Sequence, residues 1–193
     1  MKIITLFIFS CLLLFSCSSN KNDNIGINNF FDVPWGSSKE LAKEIMLKNE
    51  GMKFLSSSSN DTILYFKGGA FYGIQTKNYD LMFVENKLFM GSINFLPELN
   101  GEVLPTYLEL KNILVDKYGE PDIEQESVDP SKNNMDDLKN LRKGIGKMEN
   151  IWYFTVPNSK WKKGITFSLI GGTDISISYL DSGIYGSYLE KKK

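Results

Sequence analysis

The chain of 193 residues contains no histidine, only two cysteines and a single arginine, Arg142. Without imidazole it lacks the commonest general base and the commonest transition-metal ligand. Cys11 and Cys17 both lie near the N-terminus, so residues 18–193 hold no thiol for a disulfide, a metal site or a nucleophile. Zinc enzymes, Ser-His-Asp hydrolases and Cys-His proteases are excluded on these grounds. No glycine-rich phosphate loop is present either, because Gly68-Gly69 and Gly171-Gly172 lack the following helix and lysine that such a loop needs. An excess of positive charge is also missing: 22 basic groups face 23 acidic ones. That balance gives no electrostatic case for nucleic-acid binding. Lysine carries almost all the positive charge, which, with abundant Asn and Ile, reflects an AT-rich genome more than a selected surface.

What is there begins with a long apolar run. Lys2 precedes Ile3 to Phe15, which is broken only by Thr5 and Ser10. Thirteen residues are too few for a membrane-spanning helix, which needs about 20, but they fit the central region of a secretory signal. A buried N-terminal strand or helix is the alternative. Leu14-Phe15-Ser16-Cys17 resembles the lipobox of bacterial lipoproteins, with Phe15 departing from the usual small residue. The resemblance implies removal of residues 1–16 and a diacylglycerol on the sulfur of Cys17, the lipidation site. Ordinary signal cleavage that leaves Cys17 free is the other outcome. The polar stretch Ser18-Ser19-Asn20-Lys21-Asn22-Asp23-Asn24 has too little apolar surface to fold, so residues 17–29 read as a flexible tether. Loss of Lys2 with the signal would leave a net charge near −2.

Residues 30–193 read as one α+β domain. Ser37 followed by Glu40 has capping-box spacing, and Leu41, Ala42, Ile45 and Met46 recur at helical intervals before Gly51. The spacing predicts a helix over about 38–48. The period then changes to two: Ile63 to Phe66, Phe71 to Ile74, Tyr79 to Val84 and Leu88 to Phe95 read as strands, the last two as a hairpin. Phe89, Ile93 and Phe95 are expected to share one face of the last strand. The cycle repeats, with a helix through Tyr107, Leu110, Leu114 and Tyr118 closed by Gly119 and Pro121. Strands follow at about 123–127, 151–156, 165–170 and 175–180. The expected architecture is two tandem helix-then-antiparallel-sheet units, halves about 30–100 and 101–193, with helices packed on one face of the sheet. The segment 128–150 breaks the scheme. Met135, Leu138, Leu141, Ile145 and Met148 fall at intervals of three and four, yet Gly144 and Gly146 disfavour a helix there by about 1 kcal/mol each. A mobile surface insertion is the simpler reading. An amphipathic helix on the sheet, or a partner-binding segment using Met135, Leu138, Leu141 and Ile145, is the other.

Val33-Pro34-Trp35-Gly36-Ser37 before the first helix and Lys117-Tyr118-Gly119-Glu120-Pro121 closing the second resemble a group of small uncharacterised bacterial envelope lipoproteins. More loosely, the helix-then-sheet cycle resembles BamE-like and β-lactamase-inhibitor-protein-like domains. Those groups act by binding proteins, so the resemblance implies a non-enzymatic, membrane-tethered interaction module of the cell envelope with a protein partner. It implies no cofactor, metal or catalytic residue. Ser18, in place of the aspartate that retains enteric lipoproteins on the inner membrane, favours the outer membrane. A small-ligand-binding lipoprotein using Tyr and Trp side chains between helix and sheet is the alternative function.

Other candidates have blander explanations. Trp35 reads as a core anchor where helix meets sheet, and Trp152-Tyr153-Phe154 must alternate across a strand. Asp122, Glu124 and Glu126 read as a solvated edge-strand face that deters aggregation. Asp129, Ser131 and Asn133 begin like a calcium loop, but Asn134 and Asn140 replace its glycine and its closing glutamate. Lys191-Lys192-Lys193 reads as a solvated terminus. The lipid anchor makes the first testable statement: Cys17→Ala moves the protein from the membrane fraction to the soluble fraction, and unchanged partitioning refutes acylation at this residue.

Overall fold

Alternation of apolar residues along the longer strands accompanies one eight-stranded antiparallel sheet, and apolar helix residues join the same core. The computed structural model describes residues 27–97 and 100–193. The expected signal peptide 1–16, Cys17 and the tether up to residue 26 lie outside them. The helices are α1 (Lys39–Met46), α2 (Val103–Tyr118), α3 (Met135–Arg142) and α4 (Ser182–Lys191). Two short hairpins are formed by β1 (Asn29–Phe30) with β2 (Val33–Pro34), and by β5 (Ala70–Phe71) with β6 (Ile74–Gln75). The large sheet contains β3 (Lys53–Phe54), β4 (Ile63–Lys67), β7 (Asn78–Val84), β8 (Lys87–Phe95), β9 (Ile123–Glu126), β10 (Met148–Thr155), β11 (Lys162–Ile170) and β12 (Asp174–Asp181). Their spatial order is β3-β4-β7-β8-β12-β11-β10-β9.

That order is two four-stranded meanders laid tail to tail. Each is preceded by a helix, α1 or α2, and the last strands of the two, β8 and β12, pair antiparallel at the middle. The duplicated unit expected from the pattern is thus visible in the topology. Inward residues at the seam are Ile175 opposite Phe95 and Ile177 opposite Ile93, with Tyr179 opposite Gly91. All of the side chains named here are buried, and burying each large one stabilises the fold by about 1.5–3 kcal/mol. The face on which Phe89 was expected is corrected by a bulge. Phe83 pairs with Leu88 and Met82 with Met90, so Phe89 is the unpaired extra residue. Leu88 takes the inward position, and Phe89 instead stacks on Tyr185 of α4 at 4.9 Å.

The helices hold on through few, specific contacts. α1 starts one residue later than the capping box suggested: Ser38 is the N-cap, its Oγ accepting from the Leu41 amide at 3.3 Å. Lys43 on α1 lies 3.9 Å over the ring of Phe54, which packs against Phe66. On α2 the ring of Tyr107 stacks on Phe167 at 4.3 Å. The helix ends where the indole of Trp152 donates to the Gly119 carbonyl at 2.7 Å. α4 lies beyond the last strand expected from the sequence. Asp181 caps it by accepting from the amides of Gly183 and Ile184, and a Cβ on Gly186 would fall within 2.6 Å of three atoms of the Trp161 ring. Two glycines hid this helix from a propensity argument.

The insertion at 128–150 is also corrected. It contains the ordered helix α3, and residues 148–150 begin β10. Leu138 and Leu141 are buried in the core, so they hold α3 down and have no surface to offer a partner. Met135 and Ile145 are exposed. α3 rests on the β11–β12 turn, where a Cβ on Gly172 would lie 2.7 Å from the Leu138 carbonyl oxygen. The ordered domain likewise begins before residue 30, because Ile27 is already buried. Leu138→Ala is therefore expected to cost about 2–5 kcal/mol, while Met135→Ala stays within about 0.5 kcal/mol. Urea unfolding of the two variants checks this, and equal midpoints would return α3 to the status of a loose insertion.

Candidate functional site

A cleft of about 480 Å³ opens where the N-terminal segment crosses the sheet, within the size range of small-molecule sites. Its position follows from Gly91. A Cβ there would fall 2.5 Å from the Phe30 ring, so only glycine lets Phe30 seat on the sheet. The ring also lies 5.7 Å from Tyr179. Trp35 braces the same segment, its indole donating to the Ile27 carbonyl at 3.1 Å, as its reading as an anchor requires. Three pieces then wall the cleft: the β1–β2 hairpin, the β5–β6 hairpin, and Lys117 and Tyr118 at the end of α2.

Both hairpins turn on two residues with positive φ. In the first these are Phe31 (48°) and Asp32 (63°), in the second Tyr72 (50°) and Gly73 (83°). Two-residue hairpin turns of this hand favour Asn-Gly or Asp-Gly. A bulky aromatic in the left-handed region is strained, at a cost of order 1–3 kcal/mol. The span Phe71 to Ile74, expected as one strand, is this reversal. Phe31 recovers the cost by packing 5.0 Å from Tyr79, 5.1 Å from Phe30 and 6.4 Å from Phe71. Tyr72 recovers less: its ring packs on Phe71 at 4.8 Å, but it is 60% exposed. Across the cleft, the Lys117 ammonium lies 5.1 Å from the centre of the Tyr118 ring. Burial alone would lower the affinity of Lys117 for its proton, but the phenols of Tyr118 and Tyr72 outweigh it and the pKa is raised.

A second cluster lies between α2 and the edge of the sheet. Tyr107 Oη donates to Glu126 Oε1 at 3.0 Å, and Asn150 Nδ2 donates to the same oxygen at 2.8 Å and to Tyr107 Oη at 2.7 Å. Lys111 Nζ bonds Glu126 Oε2 at 2.9 Å and pairs with Glu124 at 3.2 Å. The expected solvated carboxylate face is therefore corrected at Glu126, whose side chain is only 10% exposed, while Glu124 remains half-exposed. Asp122 accepts from the Tyr153 amide at 2.7 Å. Asn150 Oδ1 is buried without a partner. None of these residues lines the cleft, and their bonds tie α2 to the β9–β10 edge.

The outward face of the sheet has its own pattern. One row across six strands reads Asn78, Asn94, Ser176, Ser168, Glu149, Gln125, and the next reads Tyr65, Asp80, Ser92, Ser178, Thr166, Ile151. Ser92 and Ser178 share a hydrogen bond of 2.9 Å, and Asp80 accepts from Asn78 and Asn94. Burial pushes the Asp80 carboxyl above its usual range, against the opposing effect of those amides. Tyr153, on the same face, is exposed, and Trp152 beside it is buried, as alternation demands.

Cys17, the expected lipidation site, lies outside the described residues. Met135 and Ile145 sit on the surface, away from the cleft lining. Among the described residues no group of three or more His, Cys, Asp or Glu side chains converges as a metal site would. No helix of the described residues is long and apolar enough to cross a membrane. Phe31, Tyr72, Lys117, Tyr118 and Tyr179 went unremarked as a site in the sequence, and only their neighbours in turns and at the end of α2 marked the place. Comparison with known families, curated proteins and solved structures finds no match for this chain.

Burial raises the pKa of three phenols above the ordinary 10.0. For Tyr79 and Tyr179 it is the largest cause, and for Tyr107 the charge of Glu126 adds to it. An unfolded chain releases these protons near pH 10 and the folded one holds them, so their stabilisation is complete below that pH and is lost as pH rises above it. Phenolate absorbance titrated against urea midpoints checks the point. Tyr79, Tyr107 and Tyr179 are expected to ionise only as the chain unfolds, and their titration at unchanged stability would contradict the burial described.

Proposed function

We propose that this protein is a lipid-anchored module of the bacterial cell envelope, acylated on Cys17, that binds an envelope protein and catalyses nothing. The outer membrane is the favoured location, and the module uses no cofactor and binds no nucleic acid. In this reading α1 and α2 cover the apolar face of the sheet, and the polar rows lie on the opposite face. The observation that carries this reading is that polar face. Two rows made mostly of hydroxyl, amide and carboxylate groups run across six strands, with Ser92 and Ser176 buried at their centre and their neighbours partly exposed. The lipobox-like Leu14-Phe15-Ser16-Cys17 and the polar residues after it support the anchor, and the absence of histidine supports a binding role over an enzymatic one. With no relative from which to carry a role over, the reading rests on this chain alone.

The test places a photo-cross-linking residue at Thr166, and separately at Glu109 on α2, in the full chain expressed in its own envelope. A protein adduct from position 166 and none from 109 is the expected result. The reverse, or no adduct at either position, defeats the polar face as the contact. The cleft favours a second reading, small-ligand binding by Tyr side chains, because its aromatic lining and its volume suit an organic molecule better than a protein surface.

A further inference from the structure

The cleft beside the N-terminal segment has a chemical polarity that narrows its ligand. Six of its lining residues are aromatic: Phe30, Phe31, Phe71, Tyr72, Tyr118 and Tyr179. Such a lining gains from covering apolar surface. Among the lining residues Lys117 is the only cation and Asp32 the only acid. They stand on different walls, Lys117 at the end of α2 and Asp32 at the tip of the β1–β2 hairpin. A ligand that suits this arrangement is apolar over most of its length and negative at one end.

We propose that the cleft holds a long acyl chain with an anionic head group, carboxylate or phosphate, the chain lying on the aromatic rings and the head on the Lys117 ammonium. The inference rests on the second, small-ligand reading and supplies its ligand class. Three observations carry it. The cleft is large enough, at about 480 Å³, to bury much of a lipid-sized chain. Its only cation lies beside the Tyr118 ring rather than paired with a carboxylate, since no ion pair of Lys117 exists among the described residues. Tyr72 is held at φ 50° with most of its surface in water, a strained and exposed pose that a bound apolar chain would cover. The site is also placed to meet lipid. Ile27 and Asn28 line the cleft, and ten residue steps separate Cys17 from Ile27. That span is at most about 35 Å, so an acylated Cys17 keeps the cleft within reach of a bilayer surface. Asp32 on the opposite hairpin disfavours an anion there and so orients the ligand.

The experiment uses the full chain in envelope membranes and two photoreactive probes of equal length, palmitate and hexadecanol each bearing a diazirine. Palmitate is expected to label peptides containing Tyr72, Tyr118 or Phe31. Lys117→Met should reduce palmitate labelling about tenfold, the effect of losing one charge-assisted hydrogen bond, and leave hexadecanol labelling unchanged. Tyr72→Gly, which suits the positive φ, should weaken labelling by both probes without lowering the melting temperature. Excess phosphatidylglycerol vesicles and excess free palmitate then distinguish a membrane phospholipid from a free fatty acid as the natural source. Competition by either supports the proposal. Equal labelling by both probes in the wild type, insensitivity to Lys117→Met, or adducts confined to residues outside the cleft would overturn it. The Cys17→Ala protein separates this proposal from the anchor: labelling that persists in a soluble variant upholds the cleft, whereas a variant still in the membrane refutes only the acylation.

Discussion

The pairing of β8 with β12 makes one sheet out of two. Each four-stranded meander follows a helix, and an isolated sheet of that size leaves its last strand with unpaired backbone groups on one side. Joining the two final strands removes both of those edges at once and continues the inward rows, Ile93 beside Ile177 and Phe95 beside Ile175. The remaining edges are β3, only two residues long, and β9, which carries Glu124 and Glu126. Short strands and charges are how sheets avoid pairing with neighbours. The seam also fixes the opposition of Gly91 to Tyr179. That pair leaves the gap into which Phe30 descends, so the position of the cleft is a consequence of the seam's register.

The same constraint explains why the cleft walls are strained. The β1–β2 hairpin must reverse within two residues after Phe30 has seated, because Val33 is itself buried and the Gly36 amide goes on to bond the Leu88 carbonyl. Phe31 and Asp32 are the residues left to turn, and they adopt the left-handed conformation although neither is glycine. Packing on Tyr79, Phe30 and Phe71 makes that tolerable for Phe31. The β5–β6 hairpin solves the same problem with Tyr72 and Gly73, and gains less from burial. Strain held by surrounding structure and not fully repaid in the free protein is a mark of a site. Here it coincides with a cleft whose lining is half aromatic.

Much of this fold was legible in the sequence because its signals are local. Alternation marked β7, β8, β11 and β12, while Pro105, Gly119 and Pro121 bounded α2 to within two residues. The segments that were misread involve long-range partners. Leu138 and Leu141 look like a surface stripe among Asp136, Asp137, Lys139 and Arg142, and only the glycine turn at Gly172 shows that α3 has something to rest on. Glu126 alternates like an exposed residue, yet Tyr107 and Asn150, 19 and 24 positions away, draw it inward. Asn150 itself hid the start of β10, because a polar residue at an inward position breaks the period-two pattern. The cleft was invisible for the same reason: Phe30, Tyr72, Lys117 and Tyr179 are brought together only by the seam and the two hairpins.

The two proposed surfaces differ in what they can bind because they differ in how their groups are satisfied. On the polar face, Asp80 already accepts from two amides and Ser92 and Ser178 bond each other. A partner there gains shape and area but must compete with existing bonds, which suits a broad protein contact with many weak terms. In the cleft, the Lys117 ammonium has a ring and phenols beside it but no counter-anion, and the rings around it present apolar faces. A single charge-assisted bond at one point and apolar contact elsewhere suits a small amphiphile instead. The functions are therefore compatible on one molecule. The polar rows run across the sheet from β4 to β9 and share no residue with the cleft lining, so occupying the cleft leaves those rows free for a second ligand.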